Sequence, residues 1–520
     1  MGKLMLVGLL AFAVALTGTA YAEVQNIKVG GDINLKAIIH NNYDLKNKQG
    51  NNNGQDKEQP GQAAPNVTND DNVSFYLSTV RVTIDSDLTD NVSTHVRLLN
   101  QRVWDADATG ALNDIDIDNA YVVLKEFLYS PLTLKIGRQD LNYGTGFIVG
   151  PGLLADPNAV FSSGTTLATG NATAVGAVVT QNPVHGSIGQ EYSAYNAYDA
   201  IRVILDYAPV TIEGLISKIN ETGVTNNDQD LYGFLVNYKL DQWNAEVEPY
   251  WFYKKNDSAA VLTNDATATN PAGCCVVRSF DINRVHTTGL RLAGSPIENL
   301  KLNGEAAYQF GILRDLPDPV NAAAGQNLKR DRRAWGANVD ARYTWAHVPW
   351  TPMTGAGWIY FSGNSAKSDR SGTQSNTTDD PSDFKAWDPM YRGSFATYIQ
   401  DFFSGADAPA NLYTTFDPND TAATTNRHLI YGDIGIKPLE DVNLWARYTN
   451  VRFAESPRPG RSRYAGDEVD VKASYDYTED VQLGVWGGWF FPGKYYKQPD
   501  SNTRGDALAW TLGGQAAVKF

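Results

Sequence analysis

Leu508-Ala509-Trp510-Thr511-Leu512-Gly513-Gly514-Gln515-Ala516-Ala517-Val518-Lys519-Phe520 is the stretch that decides the fold. Trp510, Leu512, Gly514, Ala516, Val518 and Phe520 fall on one face of a strand, and Thr511, Gly513, Gln515, Ala517 and Lys519 on the other. One side suits lipid and the other water, the alternation of a transmembrane β-barrel strand.

The opposite end supplies an address. Lys3 is a minimal positive region, Leu4 to Leu16 an apolar run, and Ala20-Tyr21-Ala22 a small-x-small cleavage site. Residues 1–22 therefore read as a secretory signal peptide, with the mature chain expected from Glu23. That run is too short to span a bilayer as a helix. No other segment is apolar enough, so a membrane location requires a closed barrel, which satisfies every backbone group in lipid. The expected organisation is a single barrel over residues 23–520.

Composition agrees. Mean hydropathy is only −0.35, yet there are 27 Tyr, 12 Trp and 19 Phe, rings that favour half-wet bilayer interfaces. Net charge is −15, and one unit more negative once Lys3 leaves with the leader. That balance argues against nucleic-acid binding, which wants a basic surface.

Period-two patterning gives eighteen candidate strands: 27–40, 73–87, 92–104, 115–125, 131–138, 198–207, 210–219, 230–240, 243–254, 282–294, 300–313, 334–345, 355–363, 428–437, 442–453, 467–478, 481–490 and 508–520. The gaps between them alternate. Long connections at 41–72, 105–114, 139–197, 255–281 and 364–427 interleave with tight ones such as 88–91, 208–209, 241–242 and 479–480. A soluble sheet has no reason to sort its loops this way. A barrel with short periplasmic turns and long extracellular loops does. The expected fold class is all-β: a transmembrane antiparallel barrel of about eighteen strands.

Charged residues fix which face is which. Ile201, Val203, Leu205 and Tyr207 alternate with Arg202 and Asp206, and Val339, Ala341 and Tyr343 with Asp340 and Arg342. A charge on the lipid face costs about 2–4 kcal/mol near mid-bilayer, so the charged set should face the lumen. A barrel this wide leaves an aqueous channel unless loops fill it.

Two motifs carry a family resemblance. Leu132-Thr133-Leu134-Lys135-Ile136-Gly137-Arg138-Gln139-Asp140-Leu141-Asn142-Tyr143-Gly144 resembles a strand of the alginate-export family of outer-membrane barrels, which ends in Gly-Arg-Gln, an acidic residue and Tyr-Gly. Gly466-Asp467-Glu468-Val469-Asp470-Val471, continuing to Gly488-Trp489-Phe490-Phe491-Pro492-Gly493, resembles its Glu-Val-Asp strand, hairpin and Phe-Phe-Pro-Gly loop start. Trp387-Asp388-Pro389-Met390-Tyr391 is a weaker echo. Together these cover about a tenth of the chain. The terminal strand ending in Phe520 likewise resembles the signal read by the barrel-assembly machinery of the bacterial outer membrane. The resemblance implies passive passage of an anionic polysaccharide through a narrowed, arginine-rich, porin-like pore in outer-membrane lipid.

The residues themselves support this only in part. Lumen-side basic candidates (Arg81, Arg97, Lys135, Arg202, Lys254, Arg291, Lys301, Arg342, Lys437, Arg447, Lys472) and acidic ones (Asp116, Asp118, Asp206, Glu246, Glu248, Glu305, Asp340, Asp433, Glu468, Asp470, Asp476) are equally numerous. Counting therefore gives no selectivity, although basic groups clustered at one height would. Arg138, at a strand end feeding a long loop, is the leading pore residue. Arg202, Arg291, Arg342, Arg447, Asp340, Glu468 and Asp470 follow. Each has a plainer reading as a wall ion pair that stiffens the barrel. Of the two longest loops, 139–197 is expected to fold inward and 364–427 to form a solvated external loop or cap.

Other chemistry finds no footing. The histidines His40, His95, His185, His286, His347 and His428 form no metal spacing. There is no Gly-x-Ser-x-Gly elbow, so neither enzymatic activity nor a cofactor is expected. The Asp379-Asp380 pair lacks EF-hand spacing. Cys274-Cys275 is a loop feature, a loop disulfide or a link to a partner, and no CxxCH haem motif is present. Two functional readings stand: a channel for an anionic solute or exported polymer, and a sheath that holds a periplasmic or extracellular partner such as a multihaem cytochrome. A channel narrows through its own loops, whereas a sheath stays open until its partner fills it.

Overall fold

The computed structural model describes residues 26–42, 45, 72–104, 115–150, 192, 197–220, 229–256, 262–263, 276–277, 282–315, 328–363, 383–393, 396–404, 408–409, 425–456, 460–497 and 507–520. The expected leader at 1–22, Cys274-Cys275 and Asp379-Asp380 lie outside the described residues.

Eighteen wall strands follow one another: β1 Asn26–Asn41, β2 Asn72–Thr89, β3 Val92–Val103, β4 Asp116–Leu124, β5 Leu132–Asp140, β6 Ala197–Tyr207, β7 Val210–Asn220, β8 Gln229–Leu240, β9 Ala245–Asn256, β10 Ile282–Ile297, β11 Leu300–Asp315, β12 Leu328–Thr344, β13 Met353–Phe361, β14 Arg427–Leu439, β15 Val442–Phe453, β16 Tyr464–Asp476, β17 Val481–Pro492 and β18 Ala509–Lys519. Each pairs antiparallel with its sequence neighbours, and β18 pairs with β1 from Asp32↔Lys519 to Asn41↔Trp510, closing the cylinder. Gly31 makes the seam tight. Its N–H donates to the Phe520 carbonyl at 2.8 Å, and a Cβ there would sit 2.7 Å from the Phe520 ring.

The wall matches the expected strands, with informative differences at their ends. β12 starts at Leu328 rather than 334. Its added length, Leu328 to Arg333, pairs with Asp315 to Phe310 of β11. This polar stretch lies beyond the apolar band, where hydrophobic alternation no longer marks a strand. β9 starts at Ala245 because Asp241–Trp243 form a tight 3-10 turn. Asn244 closes that turn at φ +45°, a conformation Asn tolerates.

Side chains that face out are apolar and bare: Ile434 is 62% exposed, Val485 59% and Trp335 57%. Rings gather at two levels. Near the long loops, Tyr253 stacks on His286 at 4.3 Å and His286 on Phe310 at 5.0 Å. At the short turns stand exposed Tyr207, Trp243, Trp345, Trp350 and Tyr477. Two aromatic girdles around an apolar band are the mark of a bilayer-spanning barrel. Among the described residues no helix is long and apolar enough to cross a membrane.

The lumen is where the buried core lies. Two stretches fold into it, 141–150 after β5, and 383–393 with 396–401 before β14. Their apolar residues Phe147, Ile148, Val149, Trp387, Met390 and Ile399 are buried against the inner wall. The expectation of an external cap at 364–427 is corrected for this part of the loop. Trp387 and Asp388 are each 1% exposed, because apolar and charged side chains here find partners on the inner wall. A two-residue strand, Asp383–Phe384, even adds parallel to β12.

Candidate pore constriction

The two inward segments meet each other. Val149 bridges Tyr391. The Tyr391 N–H donates to the Ile148 carbonyl and that of Gly150 to the Tyr391 carbonyl, both at 3.0 Å. The Gly393 N–H donates to the Gly146 carbonyl at 2.8 Å. Glycine is required at the crossing: a Cβ on Gly150 would sit 2.7 Å from the Gly146 Cα and 3.2 Å from that of Gly393. Phe147 stacks on Phe361 at 5.5 Å and lies 5.7 Å from Trp387, which covers the bare Gly336 of β12.

Two buried carboxylates pin the second segment. Asp388 accepts from Lys254 Nζ and from Asn283 Nδ2, each at 2.7 Å, with Arg332 Nη2 at 3.8 Å. Gln309 brackets its backbone, donating to the Asp388 carbonyl and accepting from its N–H at 2.8 Å each. Burial pushes the Asp388 carboxyl up, but Lys254 and Arg332 outweigh it and hold the group at about 2. Glu468 works on backbone instead, accepting from the N–H groups of Tyr398, Ile399 and Gln400 at 2.7–2.9 Å. Within the segment, Arg392 lies 3.5 Å from Asp401 and stacks over Phe361.

The first segment reaches the wall through Tyr143 and Thr145. The Tyr143 hydroxyl donates to Glu213. Burial, then the Glu213 charge, push that hydroxyl's pKa well above its ordinary value. Thr145 Oγ lies 3.4 Å from Glu305.

The expected pore residues divide into three groups. Arg202, Arg291, Arg342, Arg447 and Asp340 face the lumen, and each arginine is already paired. Arg202 grips Glu213 bidentately at 2.6 and 2.7 Å. Arg291 is shared by Glu246, at 2.6 Å, and Glu248. Arg342 and Arg447 share Asp433 at 2.9 and 3.2 Å. Arg447 also donates to the Ala396 carbonyl at 3.0 Å, tying wall to loop. Asp340 accepts from Asn303 at 3.0 Å. The second group, Glu468 and Asp470, is fully buried under the loop. Glu468 is a loop anchor and is closed off from the passage.

Arg138 is a group of its own. Its register partner is Asp199, two residues from Ile201, and Ile201 is exposed on the lipid face. Arg138 lies 3.6 Å from the well-exposed Asp199. The strand alternation that puts Gln139 inside puts Arg138 outside, so the leading pore residue of the sequence reading stands on the outer face near the long-loop rim. Glu213, Asp388, Arg392 and Asp401 had gone unremarked as site residues. For Glu213 a signal existed, since it shares the alternation of β7 and falls on the polar face. The loop residues carry no period to read. Among the described residues no group of His, Cys, Asp or Glu is arranged to hold a metal ion.

A family model described as alginate export matches residues 195–509. This span includes the 466–493 and 387–391 motifs but not the one around Arg138. By shape the chain is similar to OccAB1 of Acinetobacter baumannii, with 10% identity, 96% of this chain and 99% of that chain covered, and a TM-score of 0.48. It is similar to the outer membrane protein opdK of Pseudomonas aeruginosa, with 8% identity, 95% and 98% covered, and a TM-score of 0.47. It is also similar to OccK2 (OpdF) of Pseudomonas aeruginosa, solved in complex with glucuronate, with 11% identity, 96% and 98% covered, and a TM-score of 0.46. No curated protein matches in sequence.

Proposed function

The chain belongs to the alginate-export family, and from that premise we propose that it is a self-constricted outer-membrane channel for passive passage of an anionic solute or an exported polysaccharide. The observation that carries this reading is the pair of inward segments, joined at Val149 and Tyr391 and pinned to the wall by Asp388 and Glu468. A barrel that narrows its own lumen has the architecture of a pore. A sheath for a cytochrome or other partner would keep that space free, so the same observation weighs against the second reading.

Anion preference rests on how unevenly the wall pairs its charges. Arg342 and Arg447 converge on one carboxylate, Asp433, which gathers two guanidinium groups on the arc of β12 to β15, with Asp340 of β12 as the second acid there. A fixed charge in a narrow, low-dielectric throat acts far more strongly than the same charge in open water. The test is the reversal potential of the refolded barrel in a planar bilayer under a salt gradient. Anion preference that weakens in Arg342→Gln supports the reading. Cation preference in the unaltered protein sinks it.

A further inference from the structure

One row of lumen-facing residues crosses seven consecutive strands in register around the closure seam. Gly435 pairs with Trp445, Trp445 with Lys472, Lys472 with Trp486, Trp486 with Gly513, Gly513 with Ile38 and Ile38 with Phe75. Its inward orientation follows from the flanking positions Ile434, Val471, Val485, Leu512 and Ile39, all exposed on the lipid side. Gly513 lets the Trp486 ring lie flat on the wall: a Cβ there would meet the ring at 2.1 Å. Tyr192, and Tyr398 of the second inward segment, each add a ring. Tyr192 sits 6.0 Å from Trp486, with Lys36 Nζ 5.3 Å from its centroid, and Tyr398 sits 6.4 Å from Trp445. Arg447 lies 4.0 Å over Tyr431, next to Trp445. Trp445, Tyr192, Tyr398 and Tyr431 keep part of their surface open, and Lys472 is exposed between the two tryptophans.

Strands lie about 4.8 Å apart and tilt by roughly 35–45°, so a row across seven of them descends roughly 15–20 Å along the pore. Rings in a buried core close on one another. Phe75 and Trp486 do so, closing with Ile38 and Tyr192 into a buried cluster, whereas Trp445, Tyr398 and Tyr431 stay half-exposed beside Lys472 and Arg447. An aromatic face matches the C–H face of a pyranose ring while leaving the sugar's hydroxyls and carboxylate free for water and for the neighbouring ammonium groups.

We infer that the half-exposed rings of this row and its neighbours, Trp445, Tyr398 and Tyr431, are a stacking ramp along which a pyranose polymer slides, the rings reading the sugar faces and Lys472 reading any carboxylates. The inference rests on the channel reading and sharpens it. A pore selecting by charge alone would ignore a neutral sugar, whereas a ramp holds neutral and acidic sugars alike.

The experiment is blockade of single-channel current by a neutral hexasaccharide and by a hexauronate, with dwell times scored against each variant's own open current. Both sugars should produce resolved blockades in the unaltered protein. Joint Trp445→Ala and Tyr398→Ala substitution should shorten both dwell times about ten-fold, and joint Trp445→Phe and Tyr398→Phe should restore most of the loss. Lys472→Gln should shorten only the hexauronate blockade, by about three-fold. Dwell times indifferent to the alanine pair, or blockade by the hexauronate alone, overturn the ramp. A barrel that conducts but is blocked by neither sugar overturns the ramp and leaves the channel standing, while one that never conducts removes both.

Discussion

Asp388 and Glu468 hold the two ends of one inward segment, and they do it by opposite means. Asp388 is met by charge: Lys254 at 2.7 Å and Arg332 at 3.8 Å. Glu468 is met by three backbone N–H groups. The first anchor is therefore an ionic cluster that fails badly when one member is lost. The second is a cradle of neutral dipoles that fails by degrees. The difference also locates the flexible end. The Trp387 end is locked to β9, β10, β11 and β12 through side chains, while the Tyr398 end is held by its backbone, on Glu468 of β16 and Arg447 of β15, and keeps its ring half-exposed.

Removing one partner of a buried ion cluster leaves the others uncompensated, at a cost of about 3–5 kcal/mol. Asp388→Ala should therefore lower the unfolding midpoint in detergent most and expose 383–393 to protease in the folded barrel. An unchanged cleavage pattern would erase the contrast between the anchors. Glu468→Ala should cost less, about 2–3 kcal/mol for the three lost hydrogen bonds. Glu468→Gln should recover part of it, since an amide oxygen still accepts, and Gln performing no better than Ala would mean the backbone cradle is incidental. Gly150→Val attacks the crossing of the two loops rather than either anchor. Overpacking there should cost about 1–3 kcal/mol and raise pore conductance by parting the segments. A pore no wider than before would show that the crossing does not set the width.

Acid should do least. An Asp has an unfolded pKa of about 3.9, and Asp388 is held at about 2 in the folded protein. A depressed carboxyl stabilises fully above its unfolded value and loses that contribution as pH falls through its folded one. Protease resistance of 383–393 should thus be flat from neutral pH to about 4 and fall only towards 2. Release already between pH 6 and 5 would contradict the ionic anchor.

The same contrast explains what the sequence makes legible. The wall obeys a period: Val339, Ala341 and Tyr343 face out because Asp340 and Arg342 cannot, and all eighteen strands can be read this way. The inward loops obey no period. Trp387 is buried because Gly336 leaves room for its ring, a match between positions far apart in the chain. Polarity alone made 364–427 look like a solvated cap, although its Asp388, Arg392 and Asp401 are polar groups that find buried partners. Arg138 misled for a related reason. A motif marks a position without saying which face it occupies, and alternation from Ile136 places it outside. The pairing of Arg202 with Glu213 was open to the sequence in principle, since both fall on polar faces of adjacent strands. Arg447 reaching the Ala396 carbonyl was not.

The most direct test of a pore narrowed by its own loops is single-channel conductance of the refolded barrel, compared with a variant carrying both Asp388→Ala and Glu468→Ala. The account predicts stable, small openings in the first and distinctly larger ones in the second. Equal conductances, or a folded barrel that opens in neither form, would contradict it.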